Sequence, residues 1–477
     1  MKSYYRVLVP RLNGEEIVRN FSSYRSLVKK GVAGFIVFGG RLAEVRRHVA
    51  RLQDEADMPL IIASDLERGL GQQLKGGTPF PPAMALARAA RRGRGGAPSY
   101  DLALFGKVCS AVAEEAAYAG INTIFAPVLD VNTNPKNPII AQRAFGEDAT
   151  TVSLLGREMI RVFQSHGIAA CGKHFPGHGD TEVDSHISLP VIGRRIAALE
   201  KTELRPFREA AAAGVKMIML GHLKVPALDP AGVPVTLSSK AVSFLRKKLN
   251  FDGIAITDAM NMGGIAGYSE EEASFMALAA GVDVILHPSD ANGVAAYLRS
   301  RKTPLETDRL DGFRRGLLPS PAKKRPDFGQ NGSLSRTMTE RALTVSGSLR
   351  LKGRPCLVVL NDEEDNREGH LVRALRKGLP GLKVVKLAGS SGAAGIPGPE
   401  GLQFIAAVFS ETRGWKGGAG GWLRGAMSRL AGRDTLFISF GSPYLLEGVE
   451  SSAKIFAYWD SPSAQDAVAR LLSSRAR

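Results

Sequence analysis

An α/β chain in two parts is the fold the sequence predicts: a (β/α)8 TIM-like barrel followed by a smaller second α/β domain. Three observations carry this. Short apolar runs alternate with amphipathic stretches eight times between residues 7 and 286. A segment rich in proline and glycine follows residue 300, and a second, shorter strand–helix alternation begins near residue 340.

The eight strand-like runs fall at 7–9, 34–38, 60–63, 123–129, 168–172, 217–220, 253–256 and 282–286. Helix-like stretches at 41–56, 101–119, 150–166, 194–213, 238–249 and 269–280 lie between them. Strands buried on both faces read as near-continuous apolar runs, and strand–helix alternation implies a parallel sheet. Eight such repeats fit a closed barrel better than an open doubly wound sheet, which is the alternative. Pro304, Pro319, Pro321, Pro326, Gly329 and Gly332 then read as a last helix followed by a linker. The expected division is a barrel over 1–318, a linker over 319–338 and a second α/β domain over 339–477. In that domain strands are expected at 356–360, 382–385, 404–408, 435–439 and 455–458, with helices at 367–378, 421–431 and 463–474. The loops 91–98 and 388–401, rich in small residues, are expected to be mobile.

Composition narrows the function. With 44% hydrophobic and 23% charged residues, the chain is neither wholly disordered nor a multi-span membrane protein. The 63 basic against 46 acidic residues leave a charge of +17. A polyanion partner and a solubilising surface both account for such a charge, and the scatter of the basic residues favours the second. A nucleic-acid- or anion-binding protein is therefore the non-enzymatic alternative. Cys109, Cys171 and Cys356 are odd in number and far apart, which argues against a disulfide framework or a structural zinc. No apolar run of 18 residues occurs, and Met1–Pro10 has no signal-peptide core. The expectation is a cytoplasmic protein with no membrane partner.

Polar residues gather at the predicted strand ends: Asp65, Asp130, Asn132, Lys173, His174, His222 and Asp258. In a barrel all of these ends share one face, where active sites are built. The densest segment is Lys173-His-Phe-Pro-Gly-His-Gly-Asp-Thr-Glu-Val-Asp-Ser-His186, which holds three of the eight histidines. Pro176, Gly177 and Gly179 make it a loop. It has three readings. His174, His178, His186 and Asp180 could ligate a metal, but without the helical spacing of a HExxH site. The loop could be purely structural. Proton transfer suits it best: Asp184 and His186 lie two apart, so the carboxylate can hold the imidazole in one tautomer and stabilise its cation.

The segment from Lys173 to His186 resembles the signature loop of the β-N-acetylglucosaminidase branch of glycoside hydrolase family 3. Further matches appear in family order: Ala126-Pro-Val-Leu-Asp-Val-Asn132, Gln142-Arg-Ala-Phe-Gly146, Met219-Leu-Gly-His222 and Ile256-Thr-Asp-Ala-Met260. Phe440-Gly-Ser-Pro-Tyr444 and Asp460-Ser-Pro462 resemble the smaller αβα sandwich domain of two-domain members, which implies that architecture after the barrel. The resemblance implies a retaining β-N-acetylhexosaminidase that needs no cofactor and no metal. Asp258 matches the nucleophile, His186 the general acid/base and Asp184 its partner, while Asp65, Arg143, Lys173 and His174 match sugar ligands. His222 is placed with the ligands, although a buried hydrogen bond accounts for it equally well. Arg143 on its own reads also as a surface ion pair, and Asp258 as a helix cap. The implied substrate is a small N-acetylglucosaminide, either a chitooligosaccharide or a muropeptide. In the cytoplasm that points to peptidoglycan recycling, with N-acetylglucosaminyl-1,6-anhydro-muramic acid as the substrate type. A phosphorylase or a β-glucosidase of the same family is the alternative. One departure is plain: the family's Asp-x-Glu-Gly-Gly-Arg stretch reads Asp65-Leu-Glu-Arg-Gly-Leu70 here, and Gln73 stands where an arginine is usual.

Overall fold

The computed structural model describes residues 3–475 apart from 94–98, 266, 352, 364–365, 389–395, 397, 399–400, 412–415 and 417–418. By Cα proximity the chain forms two compact units. One comprises residues 1–80, 101–134 and 144–332; the other comprises 81–100, 135–143 and 333–477.

Eight parallel strands ring the first unit: β1 (Leu8–Val9, resumed after Pro10 as Arg11–Asn13), β2 (Gly34–Phe38), β3 (Ile61–Ser64), β4 (Thr123–Ile124), β5 (Ala169–Phe175), β6 (Met217–Leu220), β7 (Ile254–Thr257) and β8 (Ile285–Leu286). Each pairs with the next in chain order from β1 to β7. The ring closes at β8. Ile256 bridges to Val284, the Asp283 N–H donates to the Ala255 carbonyl at 2.9 Å, and Leu8 pairs with Ile285. Proline has no N–H to give a ladder. Pro10 accordingly divides β1 into a half that serves β8 and a half that serves β2.

The helices follow the sequence pattern closely. Leu102–Ala119, Ala149–Ser165, Ser239–Lys248 and Glu270–Ala279 begin where Asp101, Asp148, Ser238 and Ser269 accept an N–H from the first turn, at 2.8–3.2 Å. Such caps satisfy otherwise orphaned donors. Two expectations differ from the outcome. The strand expected over 123–129 is only two residues long, because the chain beyond it passes through Pro127. It still runs beside β5, with Leu129 donating to the Lys173 carbonyl at 2.6 Å. The helix expected over 194–213 is two helices, Ile196–Lys201 and Leu204–Ala212.

The linker expected at 319–338 is largely helical: Phe328–Ala342 is a helix. Its buried stripe is mostly polar (Asn331, Ser335, Met338, Thr339 and Ala342), so apolar periodicity did not reveal it. Asn331 reaches the buried Glu115 at 2.8 Å.

The second unit holds a six-stranded sheet: β9 (Thr344–Gly347), β10 (Arg354–Asn361), β11 (Lys383–Ala388), β12 (Leu402–Phe409), β13 (Leu436–Ser439) and β14 (Ala453–Phe456), in the order β9-β14-β13-β12-β10-β11. All pairs are parallel except β9 with β14, an edge pair the sequence did not announce. Alternate residues of each central strand feed two cores. Leu357, Val359, Ile405 and Ile438 pack with helices Gly369–Gly378 and Pro462–Ser473. Cys356, Val358, Phe404 and Phe437 pack with Gly421–Leu430. Helices on both faces make an αβα sandwich, and this is why the strands read as unbroken apolar runs. Arg91–Arg92 pairs antiparallel with Ser99–Tyr100. Residues 94–98 between them, and most of the loop 388–401, lie outside the described residues. Among the described residues no helix is long and apolar enough to cross a membrane.

Candidate active site

The carboxyl ends of the barrel strands carry the polar residues. β5 was expected to stop at Gly172, but it runs through Phe175 with all seven residues buried, so Lys173 and His174 lie within it. Neighbours in a strand ordinarily face opposite sides of the sheet. Here the register against β6 shifts between Gly172 and Phe175, and such an irregularity re-aims side chains. Both residues meet carboxylates from the ends of other strands. The Lys173 ammonium sits 2.6 Å from Asp65 and 2.7 Å from Glu67, both from the loop after β3. The His174 Nδ1 sits 2.7 Å from Asp130 Oδ2, beyond β4. Asp130 Oδ1 also accepts the backbone N–H groups of His174, at 3.2 Å, and His178, at 2.7 Å. The Gln73 amide donates to the Asp65 carbonyl at 3.2 Å, so the residue that replaces the usual arginine braces the backbone of a sugar-ligand candidate.

Asp258 ends β7. No helix starts there, so a helix cap does not explain it. The chain turns into the 3-10 segment Gly263–Ile265, and the Asp258 carboxylate accepts the Ala259 N–H at 2.8 Å. Burial alone would raise its pKa, but the facing histidines His174, His222 and His186, with the Ala259 N–H, bring it below the ordinary aspartate value.

The loop after β5 carries the Asp184–His186 pair. Asp184 Oδ1 accepts both the His186 N–H, at 2.9 Å, and the ring Nδ1–H, at 2.8 Å. A carboxylate only accepts, so the ring proton sits on Nδ1 and proton exchange falls to Nε2. The carboxylate is fully buried, while the imidazole is 24% exposed. Gly263 N–H donates to the His186 carbonyl at 3.0 Å and Gly264 N–H to the Ser185 carbonyl at 2.9 Å. A Cβ on Gly263 would lie 2.6–2.8 Å from backbone atoms of His186 and Ile187; one on Gly264 would lie 2.7 Å from the His222 Cβ. These two glycines let the segment after Asp258 close on the dyad loop. At its other end Arg194 pins the loop to Asp180, at 3.1 Å, and Glu203, at 2.7 Å.

Two predicted residues remain, His222 and Arg143. His222 is fully buried and both ring nitrogens are engaged: Nε2 donates to the Ala259 carbonyl at 3.0 Å, and Nδ1 lies 2.8 Å from the Thr236 hydroxyl. It supports the turn after Asp258. Burial pushes its pKa down, so it is neutral near pH 7. Arg143 belongs to the second unit, in the turn Ala141–Arg143, where its guanidinium donates to the Ile139 carbonyl at 2.9 Å. The three histidines of the loop have three different partners: Asp130, Thr181 and Asp184. Among the described residues no three ligating side chains converge on a metal position. Sequence reasoning noted Asp130 only as a strand-end residue and did not single out Glu67, Gly263 or Gly264. The Gly-Gly pair five residues beyond Asp258 was the available signal.

A family model described as the glycosyl hydrolase family 3 N terminal domain matches residues 16–308. Beta-hexosaminidase A of Pseudoalteromonas piscicida is 34% identical over 283 residues, 55% of this chain and 46% of that protein. A Cellulomonas fimi protein named beta-N-acetylglucosaminidase/beta-glucosidase is 32% identical over 293 residues, 59% of this chain and 50% of that protein. The chain thus spans about half the length of these two curated relatives. A solved family 3 beta-N-acetylglucosaminidase from Paenibacillus sp. str. FPU-7 superposes with a TM-score of 0.82 at 28% identity, covering 99% of this chain and 96% of that one.

Proposed function

The chain belongs to glycosyl hydrolase family 3, and on that premise we propose that it is a retaining β-N-acetylhexosaminidase that removes non-reducing-end N-acetylglucosamine. Asp258 attacks the anomeric carbon. His186, protonated, delivers its Nε2 proton to the leaving oxygen, and a glycosyl ester on Asp258 results. Neutral His186 then takes a proton from water as that water displaces Asp258. A retaining glycosidase needs one attacking carboxylate and one acid/base, and here the Asp184-supported histidine takes the place of the usual second carboxyl. Asp65, Lys173 and His174 are the sugar-ligand candidates of the barrel, offering acceptors and donors for hydroxyls. Arg143 remains a candidate by its motif alone.

The observation that carries this reading is the backbone clamp of Gly263 and Gly264 on Ser185 and His186, which joins the segment after the ionised Asp258 to the dyad loop. Relatives named for hexosaminidase activity point to the same sugar. Muropeptides are the substrate reading that suits a chain of charge +17, since their acidic stems would be drawn to it. Three buried, unpaired thiols suit a reducing compartment, and so a cytoplasmic recycling role. β-Glucosidase activity is the second reading, favoured by the double name of the Cellulomonas relative.

The test is nitrophenol release from the 4-nitrophenyl N-acetylglucosaminide and the glucoside, with and without phosphate. We expect the N-acetylglucosaminide to be preferred and the free sugar to be the product in both buffers. Preference for the glucoside, or a sugar 1-phosphate product, overturns the corresponding part of the proposal.

A further inference from the structure

We propose that Asp130 is a positioning residue that fixes His174 with its proton on Nδ1, so that Nε2 accepts a hydrogen bond from one hydroxyl of the non-reducing sugar. The inference rests on the reading that a sugar occupies this barrel mouth, and it adds the device by which one of its hydroxyls is recognised.

Asp130 is fully buried, and a buried carboxylate is tolerated only where donors surround it. Three do: the His174 ring at 2.7 Å, the His174 N–H at 3.2 Å and the His178 N–H at 2.7 Å. The two backbone bonds hold the carboxylate still, and the third sets the ring, because an acceptor-only partner demands a proton on Nδ1. The other nitrogen is different. The His174 side chain is 9% exposed, and Nε2 has no hydrogen bond to any described residue. Of the two histidines on neighbouring strand ends that face Asp258, His222 has spent both nitrogens on the protein and His174 has one to offer. Asp130, His178, His222 and Asp258 are among the charged and titratable groups around His174. A ring with its one proton on Nδ1 presents a lone pair at Nε2, which a hydroxyl satisfies and a fluorine or hydrogen in its place does not.

Asp130→Asn reverses the polarity. Its carbonyl oxygen can keep both backbone bonds while its amide N–H faces Nδ1, driving the ring proton to Nε2. We would measure kcat/KM for wild type and variant in the same buffer. The substrates are the 4-nitrophenyl N-acetylglucosaminide and its 3-, 4- and 6-deoxyfluoro analogues. Wild type should penalise one analogue roughly 10-fold more than the others, as the loss of one buried hydrogen bond allows. In Asp130→Asn that one penalty should shrink at least 5-fold relative to the other two, whatever the overall loss of rate. An equal loss on all four substrates reduces Asp130 to a structural role and overturns the proposal. Should the variant not fold, wild-type protein labelled with 15N-histidine gives the answer from long-range 1H–15N spectra. A protonated Nδ1 and bare Nε2 on His174 support the assignment, and the opposite tautomer overturns it. Wild-type failure on every N-acetylglucosaminide refutes the sugar reading instead, and the spectra still decide the tautomer.

Discussion

Two histidine–aspartate pairs stand on the same face of the barrel and differ in almost everything but chemistry. His174–Asp130 and His186–Asp184 have ring-to-carboxylate distances of 2.7 and 2.8 Å, and both carboxylates are fully buried. In the first pair the partners are 44 residues apart and held by adjacent strands, and the ring is 9% exposed. In the second they are two residues apart on one loop, and the ring is 24% exposed. A ring locked by a sheet is suited to holding a bound group in place. A ring on a loop, reachable by solvent, is suited to exchanging protons. The difference lies in backbone support.

The largest expected effect comes from removing the group that both pairs face. Asp258→Asn should lower kcat on the order of 10⁴-fold, as losing one essential catalytic group does elsewhere, while the melting temperature stays near wild type. Turnover like wild type in the folded variant would leave both pairs without a shared centre.

The pairs should then separate by leaving group. His186→Ala should cost about 10²–10⁴-fold on an alkyl glycoside, whose oxygen needs a proton, and far less on an activated aryl glycoside. His174→Ala should slow both substrates by the same factor. Identical patterns for the two variants would erase the distinction between a proton-exchanging and a positioning pair.

The loop pair depends on its clamp. Gly263→Ala brings a Cβ to 2.6 Å from the Ile187 carbonyl oxygen, so the dyad loop must move. Displacement of about 1 Å costs up to roughly 10²-fold, and we expect the loss to be greatest on alkyl glycosides. The same substitution should leave the His174 tautomer unchanged.

The smallest effect concerns the strand side and appears in stability. Burial pushes His178 down to about 4 from an ordinary 6.5. Between those values the unfolded chain binds a proton that the folded chain refuses, so this contribution is intact above pH 6.5 and is lost as pH falls towards 4. Full loss amounts to about 3 kcal/mol. Denaturant titrations of wild type and His178→Asn over that window should show a shallower acid decline in the variant; parallel curves would contradict it.

The same contrast explains what could be read in advance. Asp184 and His186 are neighbours in the chain, so their pairing was visible as spacing. Asp130 meets His174 only once β4 and β5 lie side by side, and nothing local marks it. The eight strands were legible because burial on both faces leaves continuous apolar runs. The helix Phe328–Ala342 was not, because its buried stripe includes Asn331, Ser335 and Thr339, whose burial depends on tertiary partners such as Glu115. His222 was a fair candidate by position, but its engagement by Thr236 and Ala259 requires the folded turn. Gly263 and Gly264 were in plain view, and only the approach of the dyad loop gives them meaning.

In the proposed mechanism Asp258 forms a covalent bond to the sugar while His186 manages the proton. The most direct measurement is to trap that bond with a slowly turned-over 5-fluoro N-acetylglucosaminyl donor and locate it by peptide mass spectrometry. One sugar adduct per chain is expected, on the peptide that carries Asp258, and none in Asp258→Asn. An adduct on another residue, or rapid turnover with no adduct and an oxazoline product, would contradict it.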